Sequence, residues 1–373
     1  MGEFDPERYD EQLTEKSQRI TELFRHLEPP TLEVFSSPAA HYRMRAEFKV
    51  WHEPDASYFA MFKQGETKKP YKIENFAIGS QLINELMPRL LAEINQDELL
   101  KRKLFQCDFL TTRSGEALIS MIYHRKLDEA WREAATLLKT NLNVDIVGRS
   151  KNQKIVLGRE FVIEKLCVDN KIYTYQQVDS SFTQPNAAVS EKMLDWAVDV
   201  AKPLAGDLLE LYCGNGNFTI PLAGQFVRVL ATEIAKSSVK SALYNLDKNN
   251  IQNVTLLRMS SEEVSEALQK KREFRRLKDI NLDQFALSTV LVDPPRSGLD
   301  DNTISLLQRF DNIIYVSCNP DTLLNNLTAL AQTHRIERFA LFDQFPYTHH
   351  IESGVFLKRK QKTPSLQYLF PYP

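Results

Sequence analysis

The chain has 373 residues, a length that favours two or three domains over one compact unit. Its 47 Lys and Arg residues nearly balance 49 Asp and Glu residues, and the formal net charge of −2 excludes a histone-like or tail-driven nucleic-acid binder while permitting a local basic face. Hydrophobic residues make up 43% and charged residues 26%, and no apolar run approaches the ~18 residues of a membrane span, so we expect a soluble globular protein.

The first half of the sequence predicts an α+β domain dominated by an antiparallel sheet. Residues 3–27 have the spacing of an amphipathic surface helix, and periodicity predicts further helices at residues 81–94 and 128–139. Short alternating or apolar segments predict strands at residues 43–51, 57–62, 72–76, 104–112, 117–124, 144–147, 154–157 and 171–175.

From about residue 190 the pattern changes to alternating strands and helices. Five short apolar runs predict buried strands of a parallel sheet, at residues 207–212, 227–232, 254–258, 289–292 and 313–316. Helix-length segments separate these runs, so we expect a Rossmann-like, doubly wound α/β domain. The predicted boundaries are residues 1–178 for the α+β domain, 179–359 for the α/β domain and 360–373 for a tail.

The ends of the chain and its cysteines favour a cytoplasmic protein. The first residues lack the basic and apolar regions of a secretory signal, and the four cysteines form no disulfide framework. None of them falls in a C-x-x-C pair, so we expect no structural zinc, no other metal and no iron–sulfur cluster.

A glycine-rich turn follows the first strand of the second half. Residues 213–217 (CGNGN) place two glycines at the carboxyl edge of the expected sheet, where the backbone can approach a ligand closely. Glu233 ends the next strand, about where a nucleoside-binding sheet places an acid for the ribose hydroxyls. Thr219 stands where the dinucleotide fingerprint requires a third glycine. S-adenosyl-L-methionine therefore fits better than NAD, and an ordinary strand-to-helix turn is the alternative.

The next two strands end in reactive side chains. In residues 292–298 (VDPPRSG) two prolines of fixed φ hold Asp293 at the ligand crevice, although such a turn also occurs as a simple helix entry. Amino-methyltransferases carry an aromatic residue where this chain has Arg296. Cys318 precedes a helix predicted to begin at Pro320, and the helix dipole should lower its thiol pKa below the ~8.5 of a free cysteine.

A thiolate beside a methyl donor has a specific use. Its addition to carbon 6 of uracil turns carbon 5 into a nucleophile towards a sulfonium methyl group. The hydrogen on carbon 5 must then leave to a general base, and Glu352 in the loop of residues 348–354 (THHIESG) is the candidate. The neighbouring His349 and His350 lack partners at metal-ligand spacing.

Five motifs in this order resemble the RNA 5-methyluridine methyltransferases. They are residues 180–186 (SSFTQPN), 211–218 (LYCGNGNF), 292–299 (VDPPRSGL), 317–320 (SCNP) and 345–354 (FPYTHHIESG), and the resemblance extends over roughly residues 8–358. It implies that Cys318 is the nucleophile and that Glu352 is the proton acceptor. The residues that it implies for adenosylmethionine binding are Gln184, Tyr212, Asn217, Glu233 and Asp293.

The resemblance favours the tRNA-modifying branch of this family. The rRNA-modifying relatives usually carry an N-terminal barrel domain and cluster-binding cysteines, and neither signature is visible in this sequence. We therefore expect methylation of carbon 5 of the T-loop uridine of tRNA through a Cys318–C6 adduct. Other RNAs with a T-arm-like stem-loop are further candidate substrates, and no obligate protein partner is expected. Methylation of rRNA, or T-arm binding and folding without methylation, remain the alternatives.

RNA contact must come from a local surface, because the net charge is close to zero. Attack on carbon 6 needs access to the face of the ring, so the target base is expected to flip out of its stack. Aromatic and cationic side chains that stack on such bases are predicted in the N-terminal domain, which we expect to bind RNA. The candidates are His41, Arg43, Arg45, Phe105, His124 and Arg125. The charged run at residues 270–278 is either another RNA contact or a solvated surface.

Overall fold

The computed structural model of the chain describes residues 4–62 and 70–361, so nearly all of the predicted tail lies outside the described residues. Its helices are α1 (Tyr9–Phe24), α2 (Gln81–Gln96), α3 (Glu98–Lys101), α4 (Glu129–Leu142), α5 (Ala187–Ala201), α6 (Thr219–Leu222), α7 (Lys236–Lys248), α8 (Ser261–Leu268), α9 (Asp301–Leu307) and α10 (Pro320–Leu330).

The strands fall into two large sheets and a hairpin. They are β1 (Glu33–Phe35), β2 (Arg45–His52), β3 (Ser57–Phe62), β4 (Pro70–Lys72), β5 (Leu104–Thr111), β6 (Ala117–Tyr123), β7 (Asp145–Ser150), β8 (Gln153–Leu157), β9 (Phe161–Val168), β10 (Lys171–Val178), β11 (Asp207–Leu211), β12 (Val229–Thr232), β13 (Val254–Leu257), β14 (Leu287–Val292), β15 (Asn312–Ser317), β16 (His334–Phe342) and β17 (Glu352–Arg359).

The N-terminal sheet has seven strands in the order β4-β3-β2-β5-β6-β7-β8. Neighbouring strands are antiparallel except β6 and β7, which are parallel and connected through α4. Apolar residues recur on one face of α2 at helical spacing and pack into the core beneath the sheet, which confirms the predicted α+β architecture.

The C-terminal sheet has eight strands in the order β1-β16-β17-β15-β14-β11-β12-β13. The five strands from β15 to β13 are parallel, and the three central strands β11, β14 and β15 are largely or wholly buried, as their apolar sequences predict. Strand β17 runs antiparallel between β15 and β16. This arrangement confirms a Rossmann-like α/β half and adds β16 and β1, which the sequence pattern did not predict.

The end of α1 and strand β1 pack with the second half, whereas Tyr9 at the start of α1 lies in the core of the first half. Strand β1 pairs with β16, and Ile20 and Phe24 of α1 are buried against the C-terminal sheet, where Phe24 and Phe339 have ring centroids 5.1 Å apart. The β9–β10 hairpin also packs on this half, through Leu166 and Tyr175. The expected boundary after residue 178 therefore does not coincide with the packing, because only strands β2 to β8 build the N-terminal sheet. In the described ranges no helix has both the length and the apolar character needed to cross a membrane.

Candidate active site

The candidate nucleophile and two carboxyl groups lie at one edge of the C-terminal sheet. Asp293 directly follows β14 and Cys318 directly follows β15, and these parallel strands end at the same edge. Glu352 begins the antiparallel β17, and the pairing of Ser317 with Ser353 places it beside Cys318. The sheet order thus assembles three reactive side chains that are distant in sequence.

Burial and mutual repulsion raise the pKa values of this cluster. The pKa of the Cys318 thiol is raised to about 11, first by burial and then by the charges of Glu352 and Asp293. Burial raises the pKa of Asp293 to about 7, and burial together with Asp293 raises the pKa of Glu352 well above its ordinary value. The expectation of a lowered thiol pKa is therefore wrong for this arrangement. Cys318 does precede α10, but desolvation and two carboxyl groups outweigh the helix end.

Arg296 supplies the opposing positive charge. It acts to lower the pKa values of both Cys318 and Glu352, and its guanidinium lies 3.0 Å from Nδ1 of His350. Its backbone carbonyl accepts hydrogen bonds from Asn319 and Thr322 at the start of α10, at 2.9 and 3.2 Å. The Asp-Pro-Pro-Arg turn is thereby fixed to the segment that carries the nucleophile.

The segment before Glu352 is held from several directions. Lys16 of α1 donates to Asp343 at 2.7 Å in a buried ion pair, and also to the carbonyl of Phe345 at 2.9 Å. Arg19 donates to the carbonyl of His349 at 3.2 Å. Helix α1 therefore sets the path of residues 343–351 and, with it, the position of the candidate base.

A cleft of about 440 Å³ opens beside the turn that follows Asp293, with Pro295 and Ser297 in its lining. Tyr212, in the left-handed conformation with φ of 61°, and Glu233 line it, and the Tyr212 hydroxyl is 2.7 Å from Ser261 Oγ. Glu233 accepts hydrogen bonds from the backbone N–H groups of Gly214 at 3.0 Å and Ala235 at 2.7 Å. The size and the mixed polar and apolar lining suit a nucleoside.

Ten buried side-chain polar atoms in the described structure have no hydrogen-bond partner, and four of these bear on donor binding. Two belong to predicted donor-binding residues, Oε1 of Gln184 and Nδ2 of Asn217; the others are Oε2 of Glu210 and Oγ1 of Thr219. Because buried polar groups are normally paired, these atoms fit the amino and carboxylate ends of adenosylmethionine. Sequence reasoning missed Glu210, although a carboxylate within the fully buried strand β11 was a usable signal.

The crossing segment, residues 179–186 between β10 and α5, carries Gln184 and is held by the N-terminal sheet. Pro185 accepts a backbone hydrogen bond from Met44 at 2.8 Å, and the Arg45 guanidinium donates to the carbonyls of Asp179 and Ser181 at 2.7 and 3.0 Å. Phe182, in the middle of this segment, is 73% exposed. An exposed phenylalanine two residues before Gln184 is a further candidate base contact that the sequence pattern did not reveal.

Two of the predicted RNA-binding residues form a stacked pair. The rings of Phe105 and His124 have centroids 4.2 Å apart and an interplanar angle of 23°, and Nζ of Lys49 lies 4.0 Å from the Phe105 centroid. We call these three residues the stacking platform. His41 is also exposed, although Nδ1 of its ring lies 2.9 Å from the carbonyl of Gly79.

The three predicted RNA-binding arginines have intramolecular partners. Arg43 donates to the carbonyl of Arg45. The guanidinium of Arg45 in turn donates hydrogen bonds to the crossing segment. Arg125 donates to the carbonyls of Leu99, Arg102 and Lys126, and its side chain is only 8% exposed. The structure thus offers no support for RNA contacts through the guanidinium groups of Arg45 and Arg125.

The charged run at residues 270–278 forms surface ion pairs. Three of its cations pair with carboxylates, which fits the alternative of a solvated surface; they are Lys270, Arg272 and Arg276. Across the described ranges, no group of three or more His, Cys, Asp or Glu side chains is arranged to hold a metal ion.

Known proteins similar to this chain agree on one family. A sequence profile described as tRNA (Uracil-5-)-methyltransferase matches residues 8–360. A tRNA/tmRNA (uracil-C(5))-methyltransferase of Vibrio vulnificus strain CMCP6 is 57% identical over 362 residues, covering 95% of this chain and 98% of that protein. A protein of the same name from Saccharophagus degradans is 55% identical, covering 96% and 99%.

A solved structure shares the fold. The tRNA (uracil-54, C5)-methyltransferase of Pyrococcus abyssi, in complex with S-adenosyl-L-homocysteine, superposes with a TM-score of 0.71 at 22% identity, covering 94% of this chain and 83% of that one. The profile match and the close relatives place the chain in the tRNA (uracil-5-)-methyltransferase family.

Proposed function

We propose that this protein transfers a methyl group from adenosylmethionine to carbon 5 of the T-loop uridine of tRNA. The observation that carries the proposal is the convergence of Cys318, Glu352 and Asp293 beside a nucleoside-sized cleft with unpaired polar atoms. The names of the close relatives support tRNA and tmRNA as substrate classes. The sequence match to the T-loop-modifying family supports the particular uridine.

Cys318 begins the reaction as a thiolate. Its sulfur forms a bond to carbon 6 of the uracil, and the electron pair of the 5,6 double bond moves towards carbon 5 and the O4 carbonyl. When bound, adenosylmethionine supplies an electrophilic methyl group on a positively charged sulfur. Beside that charge both Cys318 and Glu352 ionise more readily than in the empty site, which offsets the raised pKa values.

Glu352 completes the reaction. Carbon 5 gains the methyl group as the bond between that methyl and the donor sulfur breaks, and the electron pair stays on the sulfur, leaving S-adenosylhomocysteine. The Glu352 carboxylate then takes the proton from carbon 5. The electrons of the broken C–H bond restore the double bond, the C6–S bond breaks, and Cys318 leaves as a thiolate. Burial makes the Glu352 carboxylate a stronger base than a solvated glutamate, which suits the removal of a carbon-bound proton.

The proposal is tested by incubating the enzyme with adenosylmethionine and an unmodified T-arm hairpin. Wild type should form 5-methyluridine at the T-loop position, measured by mass spectrometry of RNA digests, whereas Cys318→Ala should form neither product nor a covalent protein–RNA adduct. Cys167→Ala is the matched control, because Cys167 is exposed on β9, outside the site. Full activity of Cys318→Ala would refute the mechanism, and methylation of purified rRNA but not tRNA would refute the substrate.

A further inference from the structure

Three loops converge at one end of the N-terminal sheet. Strand β5 begins where the antiparallel β6 ends, since Leu104 pairs with Tyr123, and the parallel β7 ends beside β6. The residues at this end are rich in cations: KRK at residues 101–103, HRK at 124–126 and SKNQK at 150–154. The sheet topology thus concentrates positive charge that the net charge of the chain does not reveal.

Two of these loops enclose a cleft of about 660 Å³, which we call the basic cleft. Its lining contains no acidic residue; it consists of Tyr123, His124, Arg125, Lys126, Ser150, Lys151, Asn152 and Gln153. Two carboxylates pair with cations of these loops: Asp128 lies 4.0 Å from Arg125, and Glu160 pairs with Lys154. Lys126 and Lys151 are exposed, and within residues 4–62 and 70–361 neither forms a salt bridge.

The basic cleft is continuous with the stacking platform, because His124 belongs to both. The platform offers aromatic faces for bases, and the cleft beside it offers the ammonium groups of Lys126 and Lys151, which form no salt bridge in the described residues. Along β2, Lys49 is four residues from Arg45, which holds the crossing segment, so the Cα atoms of these two residues are ~13 Å apart. An RNA hairpin is longer than this separation.

We propose that the basic cleft binds phosphates of the RNA strand that continues from the bases stacked on Phe105 and His124, with Lys126 and Lys151 as the contacts. The ligand is the phosphodiester backbone of a tRNA, so the contact is independent of base identity. This inference rests on the proposed RNA substrate but not on the proposed chemistry, because phosphate binding needs neither Cys318 nor the methyl donor.

The test is the salt dependence of binding to a fluorescently labelled T-arm hairpin, measured by anisotropy without adenosylmethionine. The double variant Lys126→Gln/Lys151→Gln should bind roughly tenfold more weakly at low salt, and the slope of log K against log salt should fall by about two. Lys126→Arg/Lys151→Arg should restore the wild-type slope, because the charges are kept. Thermal melting checks that each variant is folded.

The matched control removes two cations from the opposite edge of the C-terminal sheet. Arg309 precedes β15, and Lys358 pairs with Asn312 at the start of that strand, so Arg309→Gln/Lys358→Gln should leave the slope unchanged. An unchanged slope in Lys126→Gln/Lys151→Gln, with wild type still binding and methylating the hairpin, would overturn the basic cleft alone. Failure of wild type to bind T-arm RNA would overturn both the cleft and the proposed substrate.

Discussion

At the scale of single residues, the candidate active site contains three acidic groups, Cys318, Asp293 and Glu352, whose pKa values are all raised. The pKa of Cys318 is raised to about 11 by burial, Glu352 and Asp293. The charge on a bound sulfonium opposes each of these effects except burial. Thiolate formation is therefore coupled to the presence of the methyl donor, and little thiolate forms without it.

Alkylation by iodoacetamide measures this coupling. In the empty enzyme at neutral pH, Cys318 should react far more slowly than the exposed Cys167, and its rate should still be rising above about pH 9, because only the thiolate reacts. A positively charged donor analogue that leaves the thiol accessible should move the rise to lower pH, whereas neutral S-adenosylhomocysteine should not. Peptide mass spectrometry follows both cysteines, and rapid alkylation of Cys318 in the empty enzyme at pH 7 would contradict the raised pKa.

Glu210 gives a second prediction at this scale. Burial raises its pKa to about 8, so the stability that its neutral form provides is complete below about pH 4.5 and is lost as the pH rises towards 8. Glu210→Gln keeps the shape without the charge. Relative to wild type, its free energy of unfolding should gain about 1 kcal/mol or more between about pH 5 and pH 8.

Chemical denaturation at a series of pH values checks the Glu210 prediction. The exposed Glu7→Gln serves as the control and should follow wild type at every pH. If the free energies of unfolding of Glu210→Gln and wild type change equally with pH, the buried carboxyl group does not titrate in this range. The variant should also bind adenosylmethionine more weakly, because Oε2 of Glu210 is one of the unpaired atoms beside the cleft.

At the scale of elements, helix α1 positions the segment that precedes Glu352, although the helix itself contributes no reacting group. It holds residues 343–351 through the buried Lys16–Asp343 ion pair and the contacts to Phe345 and His349. Removing one partner of a buried pair leaves an unpaired charge and costs about 3–5 kcal/mol. The informative change therefore neutralises both partners, as in Lys16→Met/Asp343→Asn.

This double variant should fold but misplace Glu352. Proton removal from carbon 5 should then slow while adduct formation continues, so the covalent protein–RNA complex should accumulate as turnover falls. Denaturing gels of stopped reactions measure the complex. Lys192→Met removes a lysine that donates to Ser36 away from the segment, and it should show wild-type adduct levels. Loss of product and adduct in equal proportion would indicate destabilisation alone.

The local sequence predicted some elements and not others, for physical reasons. Strands β11, β14 and β15 were predicted because strands buried on both faces are apolar throughout. Strand β16 was missed because its first half, His334 to Glu337, is mostly polar and only its second half is fully buried. Strand β1 has three residues, too few for a periodic pattern, and only its pairing with β16 makes it a strand.

The properties of the candidate site were likewise predictable from the sequence only in part. The residues at strand ends, Asp293 and Cys318, were recognisable because each lies at a rigid turn after an apolar run. The thiol pKa was predicted in the wrong direction, because it depends on Glu352, which only the sheet order brings alongside. Arg45 and Arg125 donate hydrogen bonds to backbone carbonyls, and these tertiary contacts are likewise not visible in the sequence.

At the scale of the whole molecule, the two halves are joined through the segment that carries Gln184. Arg45 of the N-terminal sheet holds this segment by three carbonyl contacts, and Arg149 pairs with Asp179 at its start. The N-terminal sheet therefore supports the segment that carries a predicted donor-binding residue. We expect donor affinity to respond to a change in the N-terminal half that touches no part of the cleft.

Arg45→Lys tests this coupling, because it keeps the charge but loses the planar fork that reaches several carbonyls. Its affinity for adenosylmethionine, measured by calorimetry, should fall several-fold in the absence of RNA. Arg8→Lys alters an exposed arginine on the surface and should bind the donor normally. Wild-type donor affinity in Arg45→Lys would show that the crossing segment keeps its position without the N-terminal sheet.

The antiparallel strand β17 has a consequence for how the protein is made. Ribosomes synthesise Cys318 before Glu352, so a nascent chain holds the proposed nucleophile before it holds the proposed base. However, β17 lies between β15 and β16, and the sheet cannot close until residues 352–359 have emerged. The nucleophile and the base therefore become functional together, and an unfinished chain is not expected to trap a tRNA in a covalent complex that it has no means to resolve.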